Sequence, residues 1–125
     1  MQYRVRFSID VEERESRTAT VLVVSGDVEW REVVARVLGQ EGYQVLGARH
    51  EGHALVVSMR HSGPIDLLIS DGSQGRRQSD FPARLFLDRP RLRLLHLATR
   101  PSSRDALVSA TRDALVTSSC RTPPA

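Results

Sequence analysis

The sequence contains no lysine, since all 18 of its Lys and Arg residues are arginines. This absence excludes sites that depend on a lysine ammonium group, such as Schiff-base lysines and the lysine of phosphate-binding loops. A single cysteine, Cys120, excludes an internal disulfide bond. No apolar run approaches the roughly 20 residues of a membrane span, and residues 1–13 lack the continuous apolar stretch of a signal peptide. We therefore expect a cytoplasmic protein without a membrane segment.

The composition is that of one folded domain. The chain has 125 residues, of which 40% are apolar and 26% charged, and these proportions are typical of globular proteins. Residues 76–104 contain eight arginines and two acids, a balance of +6, whereas the rest contains ten arginines and thirteen acids, a balance of −3. Such a basic segment can attract nucleic acid, anionic lipid or an acidic protein surface. It can equally be a solvated arginine-rich surface.

Short apolar runs alternate with helical patterns along most of the chain. Apolar and polar residues alternate over residues 2–9, which predicts a half-buried strand, and residues 11–18 are a charged linker. Strands are then predicted at 21–24, 43–48, 65–70 and 92–97, and helices at 28–40, 53–60, 81–88 and 102–116. Gly42 is expected to end the first helix, and Ser102 with Asp105 to form a capping box at the last. Trp30 and Met59 are expected to pack in or near the core.

This order of elements predicts the α/β class. Strands that alternate with helices form an open parallel sheet with helices on both faces, a three-layer arrangement. Ligands of such sheets bind at the carboxyl ends of the strands. No dinucleotide-binding, phosphate-loop or hydrolase motif is present. Three histidines, His50, His53 and His61, lie close in sequence, but no second ligand cluster accompanies them, which argues against a metal site.

Residues 21–72 resemble the first half of a bacterial response-regulator receiver domain. The similar segments are VLVVSGD with the helix after it, EGYQVLGA, and GPIDLLISD, and RPRLRLLHLAT matches the approach to the fourth strand more weakly. The resemblance covers most of residues 20–116 and implies a flavodoxin-like fold. It divides the chain into an N-terminal strand and linker (1–18), a receiver-like domain (19–116) and a flexible tail (117–125).

The resemblance assigns the phosphoacceptor aspartate of the family to Asp71. A carboxylate at a strand end is expected to be exposed enough to attack phosphorus. The family binds Mg²⁺ through an acidic pair that falls here on Ser25 and Gly26, together with a main-chain carbonyl that would belong to Ser73. Neither a hydroxyl nor a glycine replaces two carboxylates as Mg²⁺ ligands. Asp27 is therefore either a displaced ligand or the N-cap of the first helix, and the cap is favoured.

Two further family residues are displaced or replaced. The switch hydroxyl maps onto Ala98, with Thr99 one residue later, and Arg100-Pro101 stands where the family has Lys-Pro. Arg100 is expected either to pair with Asp71 or to be a surface residue near a helix start. Since Arg100 follows the fourth strand directly, the domain is shortened by one helix–strand unit.

These features predict a stand-alone receiver-like domain in two-component signalling that acts mainly by protein–protein interaction. Its expected partner is a sensor histidine kinase or another signalling protein. Phosphorylation of Asp71 would be impaired, the weak Mg²⁺ site would consist of Asp27, Asp71 and Ser73, and no enzymatic activity is expected. One alternative is an arginine-rich nucleic-acid-binding module. Another is a decayed fragment that needs a partner or a homodimer to fold, in which the strand at 3–9 could cover the exposed edge of the fourth strand.

Overall fold

The computed structural model describes residues 18–71 and 81–120, with side chains described as far as residue 116. Within these residues, four strands alternate with four helices. In chain order they are β1 (Thr20–Val24), α1 (Val28–Gln40), β2 (Gln44–Ala48), α2 (Glu51–Arg60), β3 (Leu67–Asp71), α3 (Ala83–Asp88), β4 (Arg93–Leu97) and α4 (Arg104–Cys120).

The strands form one parallel sheet in the order β2-β1-β3-β4. Every residue of β1 and β3 is buried, because both are central strands with helices on both sides. This is why their sequences are almost continuously apolar rather than alternating. β2 and β4 are the edge strands of this sheet, and their residues are mostly half-buried or exposed.

The helices form one layer on each face of the sheet. On one face, α1 and α4 pack against β1, β3 and β4 through a cluster that includes Val34, Leu38 and Leu107. On the other face, α2 and α3 pack through a second cluster that includes Ala54 and Leu85. The expected three-layer, flavodoxin-like α/β fold is therefore confirmed. No helix within the described ranges is long and apolar enough to cross a membrane.

Local chemistry fixes the ends of α1. The Asp27 side chain caps its start by accepting from the N–H groups of Glu29 and Trp30. Gly42 adopts a positive φ of 96° just after its end, while the N–H groups of Gly42 and Tyr43 donate to carbonyls of the last turn. This pattern is a Schellman motif, in which glycine accommodates the left-handed conformation. The predicted end at Gly42 is therefore confirmed.

Other boundaries differ from the predictions. β3 begins two residues later than predicted and includes Asp71, because its backbone pairs with Leu97 of β4. The last helix begins at Arg104 and not at residue 102, since the hydroxyl of Ser103, and not that of Ser102, accepts from the Ala106 N–H. That helix continues to residue 120. Met59 is 58% exposed, so its predicted place in the core is wrong.

The sheet is shorter than the five-stranded order 2-1-3-4-5 of flavodoxin-like proteins. After β4 the chain enters α4, which lies on the same face as α1, whereas α3 lies on the opposite face. The described residues thus lack a fifth strand beyond β4 and the helix that would lead into it. The predicted strand at residues 3–9 lies outside the described residues.

Candidate functional site

The carboxyl ends of three strands bring the predicted site residues together. Ser25 follows β1, Asp71 is the last residue of β3, and Arg100 lies in the turn that follows β4. Because β1 pairs with β3 and β3 with β4 in parallel, these ends lie at one edge of the sheet. Asp27, in the turn between β1 and α1, completes the group. We call Ser25, Asp27, Asp71 and Arg100 the strand-end site.

Asp71 is buried, and its Oδ2 atom is held from two sides. The Ser25 hydroxyl donates to this oxygen over 2.6 Å, and Nη2 of Arg100 donates to it over 2.9 Å. The Asp71 side chain is only 2% exposed, so the expectation of an exposed carboxylate is wrong. A buried carboxylate requires such compensation, since burying an unpaired charge costs several kcal/mol.

Arg100 bridges the two carboxylates of the site. Its Nη2 donates to Asp71, while its Nη1 donates to Oδ2 of Asp27 over 2.9 Å. The guanidinium carbon lies 5.1 Å from the centroid of the Trp30 ring, within the range of a cation–π interaction. These hydrogen bonds, first to Asp71 and then to Asp27, raise the pKa of Arg100. The pairing with Asp71 that the sequence left open is therefore present.

Asp27 has two roles at once. Its Oδ1 accepts the N–H groups of Glu29 and Trp30 and thereby caps α1, as predicted. Its Oδ2 accepts from Arg100. The hydrogen bond from Arg100, followed by that from the Trp30 backbone, lowers the pKa of Asp27 below its ordinary value. The carboxylate therefore stays ionised and holds both the helix start and the arginine.

The strand-end site does not fit the Mg²⁺ that the fold suggests. Mg²⁺ requires hard oxygen ligands in octahedral geometry, but Oδ2 of Asp71 and Oδ2 of Asp27 already accept from Arg100. A guanidinium between the two carboxylates supplies positive charge where a divalent ion would have to lie. In the described part of the chain, no group of three or more His, Cys, Asp or Glu side chains is placed to hold a metal ion.

Two predicted site residues are not part of this arrangement. Thr99, the displaced switch hydroxyl, is exposed, and no hydrogen bond between the described residues joins it to Asp71. Ser73, the predicted carbonyl ligand, lies outside the described residues. The role assigned to each of them stays a prediction.

Sequence reasoning missed three contributors to the site. Ser25 was expected to stand in place of a metal ligand, but its hydroxyl binds Asp71. Trp30 was interpreted only as a core residue; it packs against the α1/α4 cluster as expected and also lies beside Arg100. Arg31 donates from Nη1 to the Ser25 carbonyl over 2.6 Å. The position of Ser25 at a strand end was a usable signal, whereas nothing in the sequence distinguished Arg31.

Arg89, in the basic segment, binds the end of α2. Its Nε donates to the Ser58 hydroxyl over 2.6 Å, its Nη2 donates to the carbonyls of Ser58 and His61, and its Nη1 donates to the carbonyl of Gly63. Carbonyls at a helix end lack partners within the helix and carry partial negative charge. This arginine therefore has a structural role.

Other arginines of the segment also form ion pairs within the chain. Arg84 pairs with Asp88 one helical turn away, and Arg104 pairs with Glu41 at the end of α1. Nη1 of Arg93 donates to the Arg91 carbonyl over 3.3 Å. With Arg89 and Arg100, five of the segment's six described arginines are thus bound to groups of the chain itself. The positive charge is thus less available to a partner than the sequence suggests.

Solved structures of receiver domains share this fold. The chemotaxis protein CheY4 of Vibrio cholerae matches with a TM-score of 0.64 and 17% identity, over 78% of this chain and 99% of that chain. A response regulator receiver domain protein from Clostridium thermocellum matches with a TM-score of 0.61 and 16% identity, over 82% and 98%. No family model and no curated protein matches the chain.

A third similar structure contains a phosphorylated aspartic acid. It is a response regulator protein from Burkholderia pseudomallei with a phosphorylated aspartic acid, a calcium ion and citrate, with a TM-score of 0.51 and 25% identity over 76% of this chain and 55% of that chain. The TM-scores of 0.64 and 0.61, over 78% and 82% of this chain, show that this chain is a receiver-like domain in its fold.

Proposed function

We propose that the chain acts in two-component signal transduction as a receiver-like domain that binds a protein partner, with phosphorylation of Asp71 impaired. The partner would be a sensor histidine kinase or another signalling protein, and the chain itself would turn over no substrate. The fold supports the signalling context. The observation that carries the proposal is the bridge of Arg100 between the buried Asp71 and Asp27.

This bridge opposes phosphoryl transfer in two ways. Oδ2 of Asp71 accepts from Ser25 and Arg100, so an attack by this oxygen on phosphorus would first require breaking short hydrogen bonds. Phosphorylation would also replace the single negative charge of the Asp71 carboxylate by the charge of about −2 of an acyl phosphate, close to the carboxylate of Asp27. Phosphoryl transfer depends on cations that offset the charge of the transition state. One arginine that already neutralises two carboxylates offers little further compensation.

The first test is phosphorylation of the full chain with acetyl phosphate and Mg²⁺, followed by intact mass. We expect no stoichiometric phosphoryl adduct in the wild type and none in Asp71→Asn. Arg100→Ala, which removes the guanidinium from between the two carboxylates, should increase adduct formation, whereas the matched control Arg104→Ala should not. A stoichiometric phosphoryl adduct in the wild type that is absent in Asp71→Asn would overturn the proposal that phosphorylation of Asp71 is impaired.

The second test addresses partner binding. The affinity of the chain for a sensor histidine kinase should be the same with and without phosphodonor, and the same for Asp71→Asn. An affinity that changes with phosphodonor in the wild type but not in Asp71→Asn would contradict the proposal. The nucleic-acid alternative predicts instead binding to DNA or RNA that falls steeply with salt. The five arginines of the segment that are bound within the chain argue against it.

A further inference from the structure

The outer edge of β4 is open in the described part of the chain. β4 pairs only with β3 in the four-stranded sheet. The Arg93 N–H donates to the Asp66 carbonyl, which precedes β3, over 3.3 Å. Because successive residues of a strand direct their backbone groups to opposite sides, those of Leu94 and His96 face away from β3. Backbone groups of this kind are a template for a further strand.

Apolar surface accompanies these backbone groups. Leu95 packs with the α1/α4 cluster and Leu94 with the cluster on the opposite face, yet both side chains are only partly buried. Leucines on an internal strand would be covered from both sides, as those of β3 are. The two faces of β4 therefore resemble those of a strand with a neighbour on each side, and the five-stranded order of flavodoxin-like folds has a strand at this place.

We propose that residues 3–9 of this chain bind the outer edge of β4 as an antiparallel fifth strand. Tyr3, Val5, Phe7 and Ile9 place four apolar side chains on one face of such a strand, and the residues between them are polar. This period of two is what an edge strand with one buried face requires. An antiparallel edge strand on an otherwise parallel sheet is a common arrangement.

The connection to β1 is long enough and sets the strand direction. Residues 10–19 can span at most about 33 Å when extended, while a fifth strand would lie three strand spacings from β1, about 14 Å. An antiparallel strand ends at the end of the sheet where Thr20 begins β1. A parallel strand would end at the opposite end, and its connection would have to cross the whole sheet again.

Charge favours this occupant over a second copy of the chain. The connection carries four acids (residues 10, 12, 13 and 15) and two arginines (residues 14 and 17), and it would pass the start of β4, where Arg91 is exposed and Arg93 half-exposed. The β4 edge of a second copy would instead offer the same two arginines, since residues 91–97 contain no acidic residue. Opposite charges attract and like charges facing each other are unfavourable.

Amide hydrogen exchange of the full chain, measured by NMR, tests the proposal. In the wild type, Leu94 and His96 should be protected to within about tenfold of Leu95, as neighbouring residues of one cooperative unit are. In such a fifth strand, only every second residue would donate its N–H group to β4, and proline has no N–H group. At least one of the neighbouring variants Val5→Pro and Arg6→Pro should therefore lower the protection of Leu94 and His96 by about tenfold or more. The control Glu13→Pro, in the connection, should leave it unchanged.

The amides of Leu22 and Val23 in β1 serve as an internal reference, since they stay protected as long as the domain is folded. Exchange of Leu94 and His96 in the wild type at the rate of an unfolded chain would overturn the proposal. Full protection of Leu94 and His96 in both proline variants would also overturn the proposal. Protection that rises with protein concentration would overturn it too, because it would show that a second copy of the chain binds the β4 edge. None of these outcomes depends on phosphorylation or on a signalling partner, so this inference and the proposed function can fail separately.

Discussion

Replacing Arg100 with alanine should destabilise the fold, because it removes the counter-ion of a buried carboxylate. Removing one partner of a buried ion pair typically costs about 3–5 kcal/mol. Two features reduce this value here. The Arg100 side chain is 36% exposed, so water screens part of the interaction, and its buried Nε has no hydrogen-bond partner, a cost that the variant no longer bears. We therefore expect a loss of about 2 kcal/mol in the free energy of unfolding.

Urea denaturation followed by far-UV circular dichroism measures this loss. Fluorescence is a poor probe of global unfolding here, because the only tryptophan, Trp30, lies beside Arg100 and its emission should change locally. Arg104→Ala is the matched control. Arg104 is 44% exposed and its ion pair with Glu41 lies at the surface, so we expect a loss below about 1 kcal/mol.

A double-mutant cycle with Asp71→Asn isolates the role of charge. In the Asp71→Asn background no buried carboxylate remains at the strand-end site, so Arg100→Ala should cost less than about 1 kcal/mol, and the two substitutions should be clearly non-additive. The reasoning would be refuted by an equal cost of Arg100→Ala in both backgrounds. It would also be refuted by a cost no larger than that of Arg104→Ala.

Two other features give further predictions. Arg89→Ala should lower the free energy of unfolding by about 2 kcal/mol, since the hydrogen bonds of Arg89 at the end of α2 are charge-assisted. The control Arg84→Ala, at an exposed residue, should change the free energy of unfolding by less than about 0.5 kcal/mol. Equal losses for the two variants in urea denaturation would contradict this prediction. The pKa of His53 lies below its ordinary value of 6.5, first because of desolvation by burial and then because of the charge of Arg49. The unfolded chain therefore binds more protons than the folded chain just below pH 6.5, so stability should fall as the pH drops through that value, and thermal melts of His53→Gln should show a weaker pH dependence.

Much of the fold follows directly from local patterns. The apolar runs of β1 and β3 predicted strands to within one or two residues, because a strand covered on both faces has no polar side to obscure the pattern. Gly42 marked the end of α1 because the left-handed conformation there suits glycine. Asp27 was identified as an N-cap from its place before a helix, and the structure confirms that capping bond.

The contacts of the strand-end site could not be predicted in the same way. Arg100 and Asp27 are 73 residues apart in sequence, and whether their side chains meet depends on the sheet order and on the direct passage from β4 into α4. Ser25 lacked the charge that drew attention to the aspartates, although its hydroxyl donates to Asp71 over only 2.6 Å. Ser102 and Ser103 are equally suitable caps in sequence, and only the path of the chain selects Ser103.

The absence of lysine and the loss of the acidic pair have a common consequence at the strand-end site, where Arg100 is the cation that binds the remaining carboxylates. With Ser25 and Gly26 at the end of β1, two carboxylates remain at the strand-end site, those of Asp27 and Asp71. A divalent cation would have too few hard ligands there, and a lysine ammonium is a compact point charge. A guanidinium is a planar fork, and in Arg100 its two terminal nitrogens each bind a different carboxylate over 2.9 Å. The arginine therefore neutralises the site from within the chain, which is the physical reason to expect a stable binding surface and not a switch that depends on metal and phosphate.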